Sequence, residues 1–278
     1  MVLDCHVHSA GGEYLPDDCI KKMKDGGVDG GIVFSLAPGV PDDSGMIPEY
    51  RTAERRLEQV LDFTKDRQHL YPFYYINPLE DGAFEQVDKA VEAGIKGFKV
   101  ICGRHYPQDD QAMRVWEYIA QKNKPILFHS GILYGLHPST EFNRPGNFEH
   151  LFAIKNLKFA MAHISWPWCD ELIAVYGKWN SLKYERNAPV SSELYIDMAP
   201  GTPAIYREDA LTKLVWFMNV WPSLADRVMF GTDCNTNYNG QYANTWINCD
   251  NYIYDKLSVP EELREKIFSK NLLSFVGA

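Results

Sequence analysis

The sequence lacks the features that would place it among membrane, secreted or nucleic-acid-binding proteins. It has no run of 18 apolar residues, and its N-terminus has no basic segment followed by an apolar stretch. The net charge is −9 and the isoelectric point is near 5.4, so nucleic acid is not expected as a partner. No low-complexity tract interrupts the chain. We therefore expect a cytoplasmic protein that binds neither membranes nor nucleic acid.

Cysteine patterns typical of metal or redox motifs are also missing. The six cysteines include no C-x-x-C pair. Several lie in or beside apolar runs, which is typical of reduced cysteines that act as small buried hydrophobic residues. The six positions are Cys5, Cys19, Cys102, Cys169, Cys234 and Cys249.

Short apolar runs recur along the whole chain of 278 residues, of which 45% are apolar. The runs lack clean alternation, as expected for strands covered on both faces. A chain of this length is compatible with one domain spanning residues 1–278. The eight predicted strands are Val2–His6, Gly30–Ser35, Leu70–Ile76, Gly97–Cys102, Pro125–His129, Lys158–His163, Glu193–Met198 and Arg227–Gly231.

A stretch with helical periodicity follows each run. A strand-then-helix order repeated eight times predicts a single-domain α/β fold, the closed (β/α)₈ or TIM barrel. An open doubly wound sheet is the alternative, but no G-x-G-x-x-G phosphate loop follows the first strand. The predicted helices are Pro16–Asp25, Ala53–Arg67, Asp81–Ala93, Gln111–Gln121, Asn147–Ile154, Pro167–Trp179, Arg207–Asn219 and Pro260–Phe275.

Metal-ligating residue types stand at the ends of several predicted strands. His6 and His8 are two residues apart, so their side chains share one side of a strand. His129, His163 and Asp233 each close or directly follow an apolar run. Any one of these histidines alone would be read as a hydrogen-bonded core residue. Imidazoles together with a carboxylate at one barrel rim instead favour a metal site suited to zinc, with manganese, iron or cobalt as substitutes.

The strand-end motifs resemble those of the metal-dependent amidohydrolase superfamily, in particular its amidohydrolase-related branch of proteins similar to aminocarboxymuconate-semialdehyde decarboxylase. The resemblance spans the chain. Its motifs are H-V-H at the first strand, G-F-K-V at the fourth, F-H-S-G at the fifth, A-H-I-S at the sixth, F-G-T-D at the eighth, and the segment 267–275.

The resemblance implies roles for these strand-end residues. One divalent cation would be bound by His6, His8, His129 and Asp233. His163 would orient or deprotonate the water on it, or polarise the substrate. Asp233 can serve as both ligand and proton acceptor. Lys99 stands near the position of the lysine that, when carboxylated, bridges two metals in binuclear members of the superfamily; alternatively it pairs with a carboxylate or contacts the substrate.

Other residues are candidates for substrate binding. They follow predicted strands, and an arginine fork matches carboxylate geometry, whereas a surface role is the plain alternative for each. The four substrate-binding candidates are Arg104, His105, Trp166 and Asn235.

Three segments could form lids over the strand ends: 37–51, 132–147 and 236–245. Asp4 is expected to make a structural hydrogen bond.

Three functions remain open from the sequence. The first is hydrolysis, in which metal-activated water attacks an ester, lactone or amide of a small carboxylated molecule. The second is nonoxidative decarboxylation of a small unsaturated or aromatic acid at the same site. The third is a catalytically inactive barrel that binds a ligand or partner and keeps the histidines as a structural metal site. The aromatic content of 13% would also allow a homodimer, although no surface patch can be assigned to it.

Overall fold

The computed structural model describes residues 1–10, 15–39, 46–134, 140–201 and 204–278. Nine short parallel strands alternate with helices along these segments. The strands are β1 (Leu3–His8), β2 (Gly30–Phe34), β3 (Leu70–Tyr75), β4 (Gly97–Val100), β5 (Ile126–Phe128), β6 (Lys158–Met161), β7 (Glu193–Asp197), β8 (Val228–Met229) and β9 (Cys234–Asn235). The α-helices are α1 (Pro16–Asp25), α2 (Ala53–Thr64), α3 (Ala83–Glu92), α4 (Asp110–Gln121), α5 (Cys169–Asn180), α6 (Ala204–Val220), α7 (Gly240–Lys256), α8 (Glu261–Glu265) and α9 (Asn271–Val276).

The strands form one parallel sheet in chain order that closes on itself. Each strand from β1 to β7 pairs with the strand that follows it in the chain, and β9 pairs with β1. β8 and β9 are two halves of the eighth barrel strand: the first half pairs with β7 and the second with β1. The predicted (β/α)₈ single-domain barrel is thus confirmed, with Asp233 lying inside the split eighth strand rather than after it.

Two hydrophobic layers hold the barrel together. The larger layer lies between the strands and the surrounding helices. The smaller layer fills the interior with residues such as Leu3, Ile32 and Leu127. Phe275 of α9 joins this inner layer, with its ring centroid 5.0 Å from that of Tyr195. The C-terminal helix therefore plugs the barrel and leaves the strand carboxyl ends for a site.

An irregularity in β1 aims the first two histidines. Leu3 and Cys5 belong to the inner layer, whereas Val7 belongs to the outer layer. Strict alternation would place all three on one face, but the register shifts between Asp4 and Val7. This β-bulge turns His6 and His8 toward the interior of the barrel mouth.

The structure departs from the predicted elements mainly in four places. The helix predicted over Pro260–Phe275 is divided into α8 and α9 by a π-helical turn over Lys266–Lys270. Of residues 147–154, predicted as an α-helix, residues 147–153 lie in a 3₁₀ helix over Pro145–Ala153. The sixth strand ends at Met161, two residues earlier than predicted. Helix α7 was not predicted, because its asparagine-rich start resembles a loop. Asn239 caps this helix by accepting a hydrogen bond of 3.1 Å from the backbone of Tyr242.

The remaining expectations concern cysteines, lids and membranes. Four of the six cysteines are buried and none forms a disulfide, as expected. Parts of two predicted lid segments, residues 40–45 and 135–139, lie outside the described residues. No helix within the described ranges is long and apolar enough to cross a bilayer.

Candidate metal centre and active site

Three of the four predicted ligands converge at the mouth of the barrel. The Nε2 atoms of His6 and His8 are 3.1 Å apart, and each lies 3.4 Å from Oδ1 of Asp233. Ligand atoms on the corners of a tetrahedron around zinc, with bonds of about 2.1 Å, are about 3.4 Å apart. The spacing of the three atoms therefore fits a divalent cation of this size.

A buried carboxylate fixes the orientation of His6. The Nδ1 atom of His6 lies 2.6 Å from Oδ2 of Asp197, and both side chains are fully buried. Because an ionised carboxylate only accepts hydrogen bonds, Nδ1 carries the proton and Nε2 keeps its lone pair. A neutral His6 therefore presents an electron pair toward His8 and Asp233, as a metal ligand must.

The electrostatics keep the three ligands in their metal-binding protonation states. Burial, with a contribution from the charge of Lys99, lowers the pKa of His6 well below its usual value, and burial lowers that of His8. Burial raises the pKa of Asp233, but its contact with His8 and the neighbouring imidazoles outweigh this and hold it below its usual range. Neutral imidazoles beside an ionised carboxylate are the forms that bind cations.

His129 lies beside these ligands but outside the compact group. Within the described residues, the group whose ligand atoms all lie within 4.8 Å of one another contains His6, His8 and Asp233. The ring centroid of His129 is 4.9 Å from that of His163. Its Nε2 atom is buried without a hydrogen-bond partner among the described residues, which is costly unless another ligand completes it. His129 as a fourth ligand stays a prediction.

His163 reaches the site through strained backbone. His163, Ile164 and Ser165 have φ angles of 61°, 47° and 54°, a region that β-branched residues such as isoleucine rarely occupy. Nδ1 of His163 lies 3.1 Å from the carbonyl oxygen of Ala199, and the Ser165 and Ser130 hydroxyls are 2.6 Å apart. These contacts hold a turn that brings the imidazole to 4.8 Å from His6, centroid to centroid.

A glycine leaves the room that this imidazole needs. A Cβ atom built on Gly201 would lie 2.9 Å from Cβ and 3.0 Å from Cγ of His163. Contacts under about 3.0 Å between such carbons are repulsive, so any side chain at Gly201 would displace the imidazole.

Lys99 is fully buried at the base of the site. Its Nζ atom lies 3.4 Å from Nε2 of His6 and 4.9 Å from the ring centroid of Phe34. Burial lowers the pKa of Lys99 to about 8, although the charges of Asp197 and Asp233 act in the opposite direction. Lys99 therefore adjoins the ligand group, as predicted, while its role as a metal or substrate ligand stays a prediction.

Asp4 has the structural role predicted for it. Its Oδ1 atom accepts hydrogen bonds of 2.9 Å from the backbone of His6 and of Thr232. Its Oδ2 atom accepts one of 2.8 Å from the Tyr238 hydroxyl. Burial raises the pKa of Asp4 to about 6. Asp4 thus ties the bulge in β1 to the split eighth strand, the two elements that supply the three ligands.

A cavity of about 450 Å³ opens above the ligands, within the size range of small-molecule sites. His8, His129, His163 and Asp233 share it with residues of the loops after β4, β5 and β7 and of helix α7. These additional residues are Ile101, Ile132, Leu133, Tyr134, Pro200, Gly201, Tyr242 and Trp246.

The four substrate-binding candidates lie outside this lining. Arg104 and Asn235 are exposed, and Asn235 accepts a hydrogen bond of 2.9 Å from the backbone of Asn237 in a local turn. His105 is buried, and burial lowers its pKa. Trp166 packs near Tyr206, with ring centroids 6.5 Å apart. None of the four belongs to the described lining of the cavity, so their roles stay predictions.

Sequence reasoning missed three residues that shape the site. Asp197 ends the run E-L-Y-I-D, a strand-end signal like the one that identified His129. Tyr242 and Trp246 lie on the unpredicted helix α7. Spacing of Trp246, Ile253 and Tyr254 by seven and eight residues was the signal for that helix.

Comparisons with known proteins agree with the barrel fold. The fold is similar to a probable 2-pyrone-4,6-dicarboxylic acid hydrolase from Acinetobacter baumannii with citric acid bound (TM-score 0.59, 10% identity, 100% of this chain and 99% of that one). It is also similar to an IDCase from Metarhizium anisopliae in apo form (TM-score 0.63, 14% identity, 100% of this chain and 97% of that one). A third similar structure is a dihydroorotase from Campylobacter jejuni (TM-score 0.56, 14% identity, 100% of this chain and 83% of that one). No curated protein matches the sequence.

The family assignment rests on the whole chain. The sequence model described as amidohydrolase matches residues 3–272, from the first strand through the beginning of α9. The same span holds every ligand and catalytic candidate named above. The chain belongs to the amidohydrolase family.

Proposed function

We propose that this protein is a hydrolase that uses one divalent cation, zinc being the best match to its ligands, to cleave an ester, lactone or amide of a small molecule. The observation that carries the proposal is the group of three ligand atoms, His6 Nε2, His8 Nε2 and Asp233 Oδ1, spaced 3.1–3.4 Å apart beside His163 at the mouth of a barrel. A cation bound there would acidify water and polarise a carbonyl oxygen.

Asp233 and His163 are the residues that would transfer protons. The carbonyl oxygen of Ala199 can only accept a hydrogen bond, so Nδ1 of His163 carries the proton. The Nε2 atom of a neutral His163 is then the basic one. Asp233 is ionised at neutral pH, and its side chain is 35% exposed. Both residues line the cavity, so each can accept a proton from water and return it to the leaving group.

Other residues of the chain hold the reacting groups in place. Asp197 sets the orientation of His6, and Asp4 ties β1 to the eighth strand. Such supporting contacts are typical of sites whose ligands must keep a fixed geometry. Lys99 adds a positive charge beneath the site, balanced by the nearby carboxylates of Asp197 and Asp233.

The proposal is tested on protein that has been stripped with a chelator and reloaded with single metals. Metal content is measured by elemental analysis, and a panel of esters, lactones and amides is assayed for acid release. We expect one equivalent of bound metal and hydrolysis that returns with it. A His163→Ala variant should keep its fold and its metal but lose turnover.

The same panel separates hydrolysis from the alternatives. Aromatic acids are included and monitored for CO₂. Metal-dependent release of CO₂ without hydrolysis would contradict the proposal and favour decarboxylation. Bound metal with neither reaction, together with a His163→Ala variant that behaves like the parent, would favour an inactive binding barrel.

A further inference from the structure

The wall of the active-site cavity contains mainly apolar and aromatic side chains. Apart from the metal-binding and catalytic residues at its base, the described lining has three polar side-chain groups: the Tyr134 and Tyr242 hydroxyls and the buried indole N–H of Trp246. The remaining side chains of this wall are Ile101, Ile132, Leu133 and Pro200. Such a surface gains free energy when it packs against an apolar or aromatic ligand.

No lysine or arginine belongs to the described lining of this cavity. The four segments that the structure does not describe, 11–14, 40–45, 135–139 and 202–203, contain no lysine or arginine in their sequence either. A permanently charged partner for a substrate carboxylate therefore cannot come from these segments.

Two buried cations lie behind the cavity, and both have carboxylate partners. Lys99 is fully buried, with Asp197 and Asp233 as its compensating charges. Arg207 lies 5.1 Å from the ring centroid of Trp246. Its Nε and Nη2 atoms donate to Asp250 over 2.9 and 2.8 Å. Neither cation is exposed to bind a substrate carboxylate.

A second, larger cavity has more acidic than basic side chains in its lining. It has a volume of about 910 Å³, and its lining includes Arg51 and Arg55 together with Glu49, Glu58 and Asp62. Arg55 already pairs with Glu58 at 2.7 Å and Glu49 at 3.4 Å. Three carboxylates against two guanidinium groups give this described lining a negative balance.

We infer that the substrate is uncharged outside the bond that is cleaved, with an aryl or cyclic apolar group that packs against Ile132, Tyr242 and Trp246. The inference rests on the proposed function. A carboxylate on that group would lose its hydration in the cavity without gaining a cationic partner, which is strongly unfavourable. This substrate class differs from the carboxylated one that the sequence suggested through Arg104.

A matched pair of metal-binding probes tests the charge preference without requiring turnover. Benzohydroxamic acid and 4-carboxybenzohydroxamic acid share one chelating group and differ only in a distal carboxylate. Calorimetric titration of the zinc-loaded enzyme should show the neutral probe binding at least about tenfold more tightly. Equal or tighter binding of the carboxylated probe, or no binding of either probe, would overturn the inference.

Wall variants add a test that depends on the same surface. Tyr134, which is 76% exposed at the cavity, can accept a charged replacement with little risk to folding. Tyr134→Arg should raise affinity for the carboxylated probe at least about fivefold, whereas Tyr134→Phe should not. Trp246→Leu should weaken the neutral probe about tenfold, and Tyr252→Ala, an exposed change on the same helix, should leave it unchanged. Failure of both Tyr134→Arg and Trp246→Leu to alter binding would overturn the inference.

Turnover distinguishes failure of this inference from failure of the proposed function. Methyl benzoate and monomethyl terephthalate form a parallel ester pair, assayed alongside the wider panel. Hydrolysis that favours the carboxylated ester would overturn the substrate class and leave the hydrolase proposal standing. Absence of hydrolysis across the whole panel would overturn the hydrolase proposal, while the hydroxamate ranking would still decide the charge preference.

Discussion

The base and the wall of the cavity are built in different ways. The base consists of His6, His8 and Asp233, which the hydrogen-bonded barrel strands bring to within 3.4 Å of one another. The wall includes Ile132 from the loop after β5 and Trp246 from α7, elements that lie outside the barrel sheet. The difference teaches that the strand ends determine the chemistry of this protein, whereas loop and helix packing determine what it binds.

Removing a carboxylate from the base should have the largest effect. Asp233→Asn takes away both a metal ligand and a proton acceptor, so we expect activity to fall at least about 10³-fold, with weaker metal binding. Activity and metal content are measured together. Asp18→Asn, an exposed change in α1, is the control and should match the parent. An active Asp233→Asn variant with full metal content would contradict the assignment of the base.

The buried ion pair between Arg207 and Asp250, which packs behind Trp246 of the cavity wall, can be removed by a substitution remote from the metal ligands. Asp250→Ala leaves the guanidinium of Arg207 buried without its partner, which should lower the free energy of unfolding by about 3–5 kcal/mol. Urea denaturation measures this change. Asp209→Ala removes an exposed pair with Lys213 and should cost less than about 1 kcal/mol. Equal effects of the two variants would show that the buried pair does not anchor the packing behind Trp246.

A small change should displace the imidazole of His163 and leave the ligands in place. Gly201→Ala forces a methyl group against His163, and a misplacement of about 1 Å can cost about 10²-fold in rate. Turnover, metal content and thermal stability are measured side by side. Gly103→Ala is the matched control, because a Cβ atom there meets nothing within 4 Å. Unchanged turnover in Gly201→Ala would contradict a catalytic role for His163.

The base was largely predictable from the sequence, because a strand followed by a polar residue is a local pattern. His6, His8 and Asp233 were identified in this way, and the resemblance to the family supplied their roles. The alternation argument for His6 and His8 was correct for the pair, but the bulge that turns both toward the interior, where Leu3 and Cys5 also lie, could not be read from the sequence. At that bulge the backbone N–H of His6 donates a hydrogen bond of 2.9 Å to Asp4.

The remaining features depend on contacts between distant segments. Continued alternation through β6 would align His163 with Phe159 and Met161, which belong to the outer layer. Only the left-handed turn redirects the imidazole, and contacts with Ala199 and Ser130 hold that turn. The wall was missed for the same reason: α7 begins with polar residues, and its packing face becomes visible only against the rest of the fold.

Weakening the support of one ligand should have an intermediate effect. Asp197→Asn keeps the size of the side chain but removes the charge that holds Nδ1 of His6, so metal affinity should fall about 10- to 100-fold. Competition with a chelator of known affinity measures the change, and excess zinc should restore activity. Glu193→Gln, on the same strand, is the control. Loss of activity that excess metal does not restore would contradict a purely positioning role for Asp197.

The smallest expected change in metal affinity concerns His129, which lies beside the compact ligand group of His6, His8 and Asp233. The Nε2 atom of His129 is buried without a partner among the described residues, but it lies outside the group of three. It must move to complete the ligand set and should therefore contribute less, so His129→Gln should weaken metal binding about tenfold, or about 1.4 kcal/mol. His105→Gln is a stringent control, because His105 is also buried with an unpartnered Nε2 yet does not line the cavity. If the two variants bind metal equally well, the ligand set ends at His6, His8 and Asp233, and the base is complete without the fifth strand.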